Sequence, residues 1–401
     1  MTRAAWPRPS SSRRPPEEGG SPAVRRLGAL LAEALDAGAS DLHFEPDRDG
    51  LRVRARVDGQ LRDLEPPPAA LVPALLTRIR LLARVDLAER RLPQDGRFTW
   101  TTPAGDGIDI RAAFLPVARG EKIALRLLRH PGDAPSLESL GMAARELARL
   151  RRALARPNGL VLVVGPTGSG KSTTLHAALV HLRSAARSLA SVEDPVEFDV
   201  AGVSQVAVDE EVGRSFAVVL RALLRQDPDV LMVGEIRDDT SARIACRAAL
   251  TGHLVLSSLH ASHAAEALLR LPEIGVADYL VRATVSLVLA QRLVRRLCGD
   301  CRATAPLPRG AVAWFARAGV APPDRLPRAT GCARCRDLGY RGRLALFEVA
   351  ASIDDAPRPF EAGSLGAAGL ARVAEGATTL EEVLAHCPHP TGDEAAAGEE
   401  R

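Results

Sequence analysis

Apolar and polar positions follow two different periods along this chain, and the changes of period mark its elements. Over 24–37, VRRLGALLAEALDA, apolar residues recur every three or four positions, which predicts an amphipathic helix. LRVRARVDGQLRDLE then alternates apolar and charged residues around Asp58-Gly59, a hairpin signature. ALVPALLTRIRLLA returns to helical spacing, and GIDIRAAFLPV and EKIALRLL read as two strands within 108–128. These elements predict a small α+β domain over 24–130, with a Pro- and Arg-rich arm over 1–23 ahead of it. A polar, Pro-rich stretch predicts a linker over 131–145.

From Gly159 onward the pattern changes to short, wholly apolar runs. Strands are expected at 160–164, 189–192, 203–208, 229–233 and 254–258, with helices between several of them. That alternation predicts an α/β domain over 146–297 built on a parallel sheet. A cysteine-bearing element over 298–335 and a helical segment over 336–401 complete the chain. In the last segment Thr379, three residues before Glu382, is placed to cap the helix ATTLEEVLAH, and PTGDEAAAGEER reads as frayed.

Composition narrows the function classes. A length of 401 residues at 46% hydrophobic supports two or three domains with real cores. The net charge of +4 comes from many charges of both signs, and with only three Trp and two Tyr there is no basic, aromatic surface for nucleic acid. No window of 18 apolar residues predicts a membrane span, and the arm lacks the apolar segment of a secretory signal.

The chemistry concentrates in GLVLVVGPTGSGKSTT. An apolar strand leads into G-x-x-x-x-G-K-S, and a helical run follows. In such a loop the backbone N–H groups of Gly165, Pro166, Thr167, Gly168, Ser169 and Gly170, proline excepted, turn toward phosphate oxygens. Lys171 reaches the β- and γ-phosphates, Ser172 offers its hydroxyl to magnesium, and Thr173 closes the set as a neighbour of the loop. Two acidic clusters sit at strand ends of the same sheet, in SVEDPVEF and in QDPDVLMVGEIRDD. Glu193 is expected to orient or deprotonate the attacking water, and Glu235 to reach magnesium through a bound water. His253 and His260 flank one buried strand and are expected to report the γ-phosphate. Asp227, Asp229, Asp238 and Asp239 read as caps or ion-pair partners.

Cys298-x-x-Cys301 and Cys332-x-x-Cys335 present four thiolates in two pairs, a set that fits tetrahedral zinc with no open position. An iron–sulfur cluster is the alternative. Cys246 reads as core, and Cys387 as an inert terminal thiol.

The order of phrases from SDLHFEP through RVRARVDG, DLAERRLPQDGRF, DIRAAFLP, the phosphate loop, SVEDPVEF, LLRQDPDVLMVGEIRD, AALTGHLVLSSLH, QRLVRRLC and GYRGRLALFE resembles the secretion ATPases of type II secretion and type IV pilus assembly. That resemblance implies a RecA-like P-loop core, a PAS-like α+β domain before it, a four-cysteine zinc-binding element and a helical tail. It implies a hexameric ring that hydrolyses ATP with magnesium at the cytoplasmic face of the inner membrane. The ring would act on a platform protein to extrude pilin-like subunits, with no nucleic-acid substrate. GPTGSGKS is similar to the family's Walker A loop, EDPVE to its aspartate box, DVLMVGE to its Walker B strand, and His253 and His260 to its histidine box. Arg97 and Arg111 match the arginines that the N-terminal domain brings to the nucleotide. The cysteines favour secretion or assembly over pilus retraction, and a scaffold that binds without hydrolysing is a further alternative. SSLHASHA departs from the family's usual TLHTNDA, placing His263 where an acid is usual. A short arm is expected where large members carry a docking domain.

Overall fold

The computed structural model describes residues 21–388 apart from 49, 103–104, 129–133 and 353. Most of the expected arm, the start of the expected linker and the stretch PTGDEAAAGEER lie outside the described residues. The fold divides at residue 130 into two compact units.

The first unit holds α1 (Pro22–Asp36), β1 (Ala39–Asp47), β2 (Gly50–Val57), β3 (Gln60–Leu64), α2 (Val72–Ala83), β4 (Gln94–Thr101), β5 (Gly107–Val117) and β6 (Gly120–Leu128). Its strands form one antiparallel sheet in the order β3-β2-β1-β6-β5-β4. Alternate residues turn inward because side chains on a strand point to opposite faces. Val53, Ala55 and Val57 of β2 and Ile110, Ala112 and Phe114 of β5 thereby share a core with Leu27, Leu30 and Leu31 of α1 and Leu75 and Ile79 of α2. The outer face is charged: Glu45 meets Arg54 at 2.6 Å and Lys122 at 2.8 Å. The buried guanidinium of Arg80 is held through both of its terminal nitrogens. It pairs with Glu121 and donates to the carbonyls of Asp86 and Glu89, which fixes the loop leading into β4.

The second unit opens with α3 (Ala144–Leu154) and continues through β7 (Gly159–Val164), α4 (Lys171–Leu182), β8 (Leu189–Glu193), β9 (Val203–Ala207), α5 (Phe216–Leu223), β10 (Val230–Val233), α6 (Asp239–Leu250), β11 (Leu254–Leu259), α7 (Ala264–Glu273), α8 (Asp278–Thr284) and β12 (Val285–Leu297). A second stretch adds β13 (Ala303–Pro306), α9 (Arg309–Ala318), β14 (Arg325–Arg328), β15 (Tyr340–Ala350), α10 (Leu365–Ala374) and α11 (Leu380–His386). The main sheet runs β15-β12-β7-β11-β10-β8-β9, parallel throughout except for β15. Helices cover both faces, which is why β7, β8, β10 and β11 are buried at every position. Leu160, Leu162 and Val164 pack on the α6 side, while Val161 and Val163 pack with Leu150 and Leu154 of α3 and Leu175 and Leu179 of α4.

The region expected to be helical over 336–401 opens instead with a strand, β15, paired antiparallel to β12 from Val288↔Ala350 to Leu297↔Tyr340. RLALFEVA runs apolar from Leu344 to Phe347 and resumes at Val349, with only Glu348 between them. Thr379 caps α11 as its spacing predicts, its side chain accepting from the Glu382 N–H. Among the described residues no helix is long and apolar enough to cross a membrane.

Candidate functional site

The parallel register brings four strand ends to one edge. Val233 pairs with Val192 and with Ser257, and Leu259 with Val164. The residues that close or follow these strands, Gly165, Glu193, Glu235 and His260, therefore emerge side by side, at the carboxyl edge where open α/β sheets take ligands.

The loop between β7 and α4 is shaped by β12. Gln291 is 2% exposed; its Oε1 accepts from the Thr174 hydroxyl at 2.7 Å. A Cβ at position 165 would fall 2.6 Å from the Gln291 carbonyl, and one at 170 would fall 2.7 Å from Gln291 Nε2. Both glycines also hold positive φ, 156° and 90°, so only glycine fits. Lys171 Nζ donates to the carbonyls of Gly165 at 2.9 Å and Pro166 at 3.1 Å. Burial pulls its pKa below the usual lysine value, while Glu235 and Glu197 pull it back toward the charged form. Pro166, Thr167 and Gly168 are exposed at the loop's crest, Ser172 and Thr173 are half-buried, and the Ser169 hydroxyl is buried without a hydrogen-bond partner.

Glu235 stands beside this loop. Its Oε1 lies 2.8 Å from His260 Nε2, and its Oε2 accepts from Arg237 at 3.0 Å. Arg237 also reaches Asp194 at 3.2 Å, so the acids following β8 and β10 share one cation. Gly234 leaves room for this arrangement: a Cβ there would come within 3.4 Å of Glu193 Cα.

Glu193 is buried more deeply than a strand-end acid usually is, with 3% exposure. Its Oε1 accepts from Ser191 at 2.6 Å and Gln205 at 3.0 Å, and its Oε2 lies 2.9 Å from His176 Nε2. Burial alone would raise its pKa, but these three partners outweigh it and leave the carboxyl below its ordinary value. Glu197, four residues on, is exposed and acts on the charges of both Lys171 and His176.

Within this chain His260 joins the site and His253 does not. His253 precedes β11, beside Gly159 at the start of β7, about 20 Å along the strand from His260. Its Nδ1 contacts the Ala248 carbonyl at 3.0 Å, an end-of-helix contact. His263 caps α7: its side chain accepts from the Glu266 N–H at the start of the helix. Asp238 caps α6 through Ser241, and Asp239 pairs with Arg243. In the first unit Arg97 and Arg111 are direct cross-strand partners on β4 and β5, and Arg111 lies opposite Arg126 on β6. Adjacent like charges are costly on a sheet.

The four cysteines do converge. Every pair of Sγ atoms lies within 4.8 Å, with Cys298–Cys332 at 4.0 Å, and Cys301–Cys335 and Cys332–Cys335 at 3.7 Å. A metal held at about 2.3 Å from each sulfur sets tetrahedral edges of about 3.8 Å, so the sulfurs are spaced for one ion. Burial favours the neutral thiol at Cys335, but the N–H groups of Cys332 and Gly339 point at its sulfur and bring its pKa down to about 6. The donor set fits a thiolate-bound metal.

A family profile described as type II/IV secretion system protein matches residues 16–385. The chain belongs to this family. The type II secretion system protein HxcR of Pseudomonas aeruginosa is 44% identical over 381 residues, covering 91% of this chain and 77% of its own. The type IV pilus assembly ATPase PilB of Myxococcus xanthus is 42% identical over 385 residues, covering 91% and 68%. Among solved structures, the pilus retraction motor PilT with bound ADP matches with a TM-score of 0.61 at 25% identity, covering 91% of this chain and 97% of that one. The chain is thus an ATPase of the secretion and pilus-assembly family, with that family's RecA-like core.

Two residues of the site went unread in the sequence. Gln291 sat inside an apolar run, and its partner Thr174 is 117 positions away. His176 lay on a helix that is buried on almost every side, where a histidine looks like packing. Glu197 had a visible signal, as the second acid of EDPVE to carry a long side chain.

Proposed function

We propose that this chain hydrolyses MgATP as one subunit of a ring-shaped motor, a hexamer, serving a type II secretion or type IV pilus assembly machine at the cytoplasmic face of the inner membrane. The ring would transmit its domain movements to a membrane platform protein and so drive pilin-like subunits outward. The observation that carries this reading is the single edge shared by the phosphate loop, Glu235 with His260 and Arg237, and the segment Glu193–Glu197.

The roles follow from position. Backbone N–H groups of 165–170 cradle the phosphates, and Lys171 exchanges the carbonyls of Gly165 and Pro166 for phosphate oxygens. Ser172 would hold magnesium directly and Glu235 would hold one of its waters; the ion would supply positive charge against the phosphates. The segment Glu193–Glu197 orients the attacking water. Glu193 has three partners already, so Glu197, exposed and near Lys171, shares that assignment with it. His260 bears on Glu235 and reports the γ-phosphate. Arg97 and Arg111, cross-strand partners on β4 and β5, are the candidates for contacting the nucleotide's phosphates. Cys298, Cys301, Cys332 and Cys335 would hold a structural zinc that pins β12 to β15. Relatives above 40% identity, HxcR and PilB among them, and the cysteine cluster favour secretion or assembly over retraction.

Phosphate release by the purified full chain, with and without its platform partner, tests the reading. Lys171→Ala should abolish nucleotide binding. Glu235→Gln, Glu193→Gln and Glu197→Gln should bind a fluorescent ATP analogue normally, with turnover lost in Glu235→Gln and in at least one of the other two. Wild-type turnover in Lys171→Ala, or in all three glutamine variants, would refute it.

A further inference from the structure

His176 lies on the second turn of α4 and is 1% exposed. Both of its ring nitrogens sit close to oxygens that belong to the site. Nδ1 is 2.8 Å from the carbonyl of Ser172, in the turn that carries Lys171. Nε2 is 2.9 Å from Glu193 Oε2, close enough for an ion pair though off the hydrogen-bond angle. Phe198 packs against the ring at 4.9 Å between centroids and closes it from solvent. Packing alone would be served by any apolar side chain of this size. Two polar atoms placed against these two oxygens do something packing does not: they connect the phosphate-loop helix to the strand end that leads to Glu197.

We propose that His176 is a positioning residue of the hydrolytic site, tying the first turn of α4 to the Glu193 carboxylate and so setting where the Glu193–Glu197 segment stands relative to the phosphate loop. Glu193 is held from three directions: Ser191 along its own strand, Gln205 from β9 and His176 from α4. The contact from α4 is the one that references the nucleotide, because α4 begins at Lys171. A shift of the acidic segment by a fraction of an ångström leaves phosphate binding intact but moves the water-orienting carboxylate out of line. This inference rests on the reading of that segment as the water-orienting element.

Three variants separate positioning from packing. His176→Gln keeps a donor where Nε2 stood; His176→Asn keeps one only near Nδ1; His176→Phe fills the space with neither. The affinity of the full chain for a fluorescent, non-hydrolysable ATP analogue should stay within about twofold in all three. The kcat should fall about tenfold or more in His176→Asn and His176→Phe and stay within about threefold of wild type in His176→Gln. A merely structural histidine predicts instead that kcat follows the folded fraction read by circular dichroism, with Asn and Gln alike. If His176→Phe fails to fold, the Asn–Gln comparison still decides, and equal kcat in those two overturns the proposal. Wild-type kcat in Glu193→Gln and Glu197→Gln together would mean the underlying reading has failed. Loss of turnover in either of them beside an unaffected His176→Asn would sink only the role of His176.

Discussion

Replacing Glu348 by glutamine should weaken the second unit at the point where two helices from distant parts of the chain begin. Glu348 lies on β15 and is 2% exposed. Its Oε1 accepts from the N–H of Ala264 at 2.8 Å, and its Oε2 from the N–H of Leu365 at 3.1 Å. Those are the first residues of α7 and α10, whose opening N–H groups have no partner within their own helices. One carboxylate thus completes both helix ends, and the positive end of each helix favours its charge. Glutamine can offer its carbonyl to one N–H but sets an amide donor against the other. The loss is one charge-assisted hydrogen bond and a buried orphan donor, about 2–4 kcal/mol. A neutral amide recovers part of this, because burial disfavours the carboxylate and raises its pKa. The expected net cost is about 2 kcal/mol for Glu348→Gln, and about 3–5 kcal/mol for Glu348→Ala, which orphans both donors and leaves a void. At about 2–4 °C per kcal/mol for a unit of this size, the melting transition should fall by about 4–8 °C in the first case and by more in the second. Calorimetry, with urea midpoints read at unchanged m, measures it. A Glu348→Gln protein as stable as wild type would show that the carboxylate is not what holds the two helix ends.

Other substitutions probe separate parts of the same argument. Gly170→Ala should cost about 1–2 kcal/mol in backbone strain alone at φ 90°, with a further clash against Gln291 Nε2, and nucleotide affinity measured by fluorescence should fall; wild-type affinity would contradict the fit of the loop to β12. For the buried His176–Glu193 pair the signs are set by opposite shifts. Burial lowers the pKa of His176 but Glu193 outweighs it and raises it above 6.5, so the histidine's contribution is full below pH 6.5 and is lost as pH rises through its folded value. Glu193 sits below 4.5, so its contribution is full above pH 4.5 and is lost as pH falls through its folded value. Urea midpoints should therefore decline on the alkaline side in wild type, and that decline should be smaller in His176→Phe; parallel profiles would refute the pairing. Cys332→Ser, or a strong chelator, should release one bound metal per chain and expose the segment 298–339 to protease while nucleotide binding persists; protection unchanged after metal loss would make the cluster dispensable to the fold.

How much of this was legible depended on where each residue's partner lies. The phosphate loop was readable because its geometry is local: glycines at fixed spacing, a strand before and a helix after, all within one short stretch. The buried parallel strands were readable for the same reason, as apolar runs such as VLMV with no polar residue to misplace. β12 and β15 hid because each carries polar residues in its interior. Gln291, Arg292 and Glu348 interrupt the apolar pattern, yet all three are buried. Four of their partners, Thr174, Ser262, His386 and Ala264, lie 30 or more positions away, and Leu365 lies 17 away. No short window of residues contains such a pair, so no periodicity could report it. The place of Glu193 at a strand end was readable, but its burial was not: it is among the most buried charged groups of the unit, because Ser191, Gln205 and His176 reach it from three elements.

The same polar residues explain why a nucleotide site and a C-terminal helical segment can belong to one mechanical body. Gln291 and Arg292 are neighbours on β12, so their side chains leave the strand on opposite faces. Gln291 braces the phosphate loop through Thr174. Arg292 donates to the carbonyl of Ser262, just beyond the His260 loop, and to the carbonyl of His386 at the end of α11. Its guanidinium is buried and stays charged, so breaking those contacts would strand a buried cation. A displacement of the phosphate loop therefore cannot relax within β12 alone. Either Gln291 gives up Thr174, or β12 moves and carries Arg292, and with it α11 and the segment after His260. Buried hydrogen bonds are expensive to leave unmade. The second route is the one this packing favours, and it requires no residue beyond those the strand already carries.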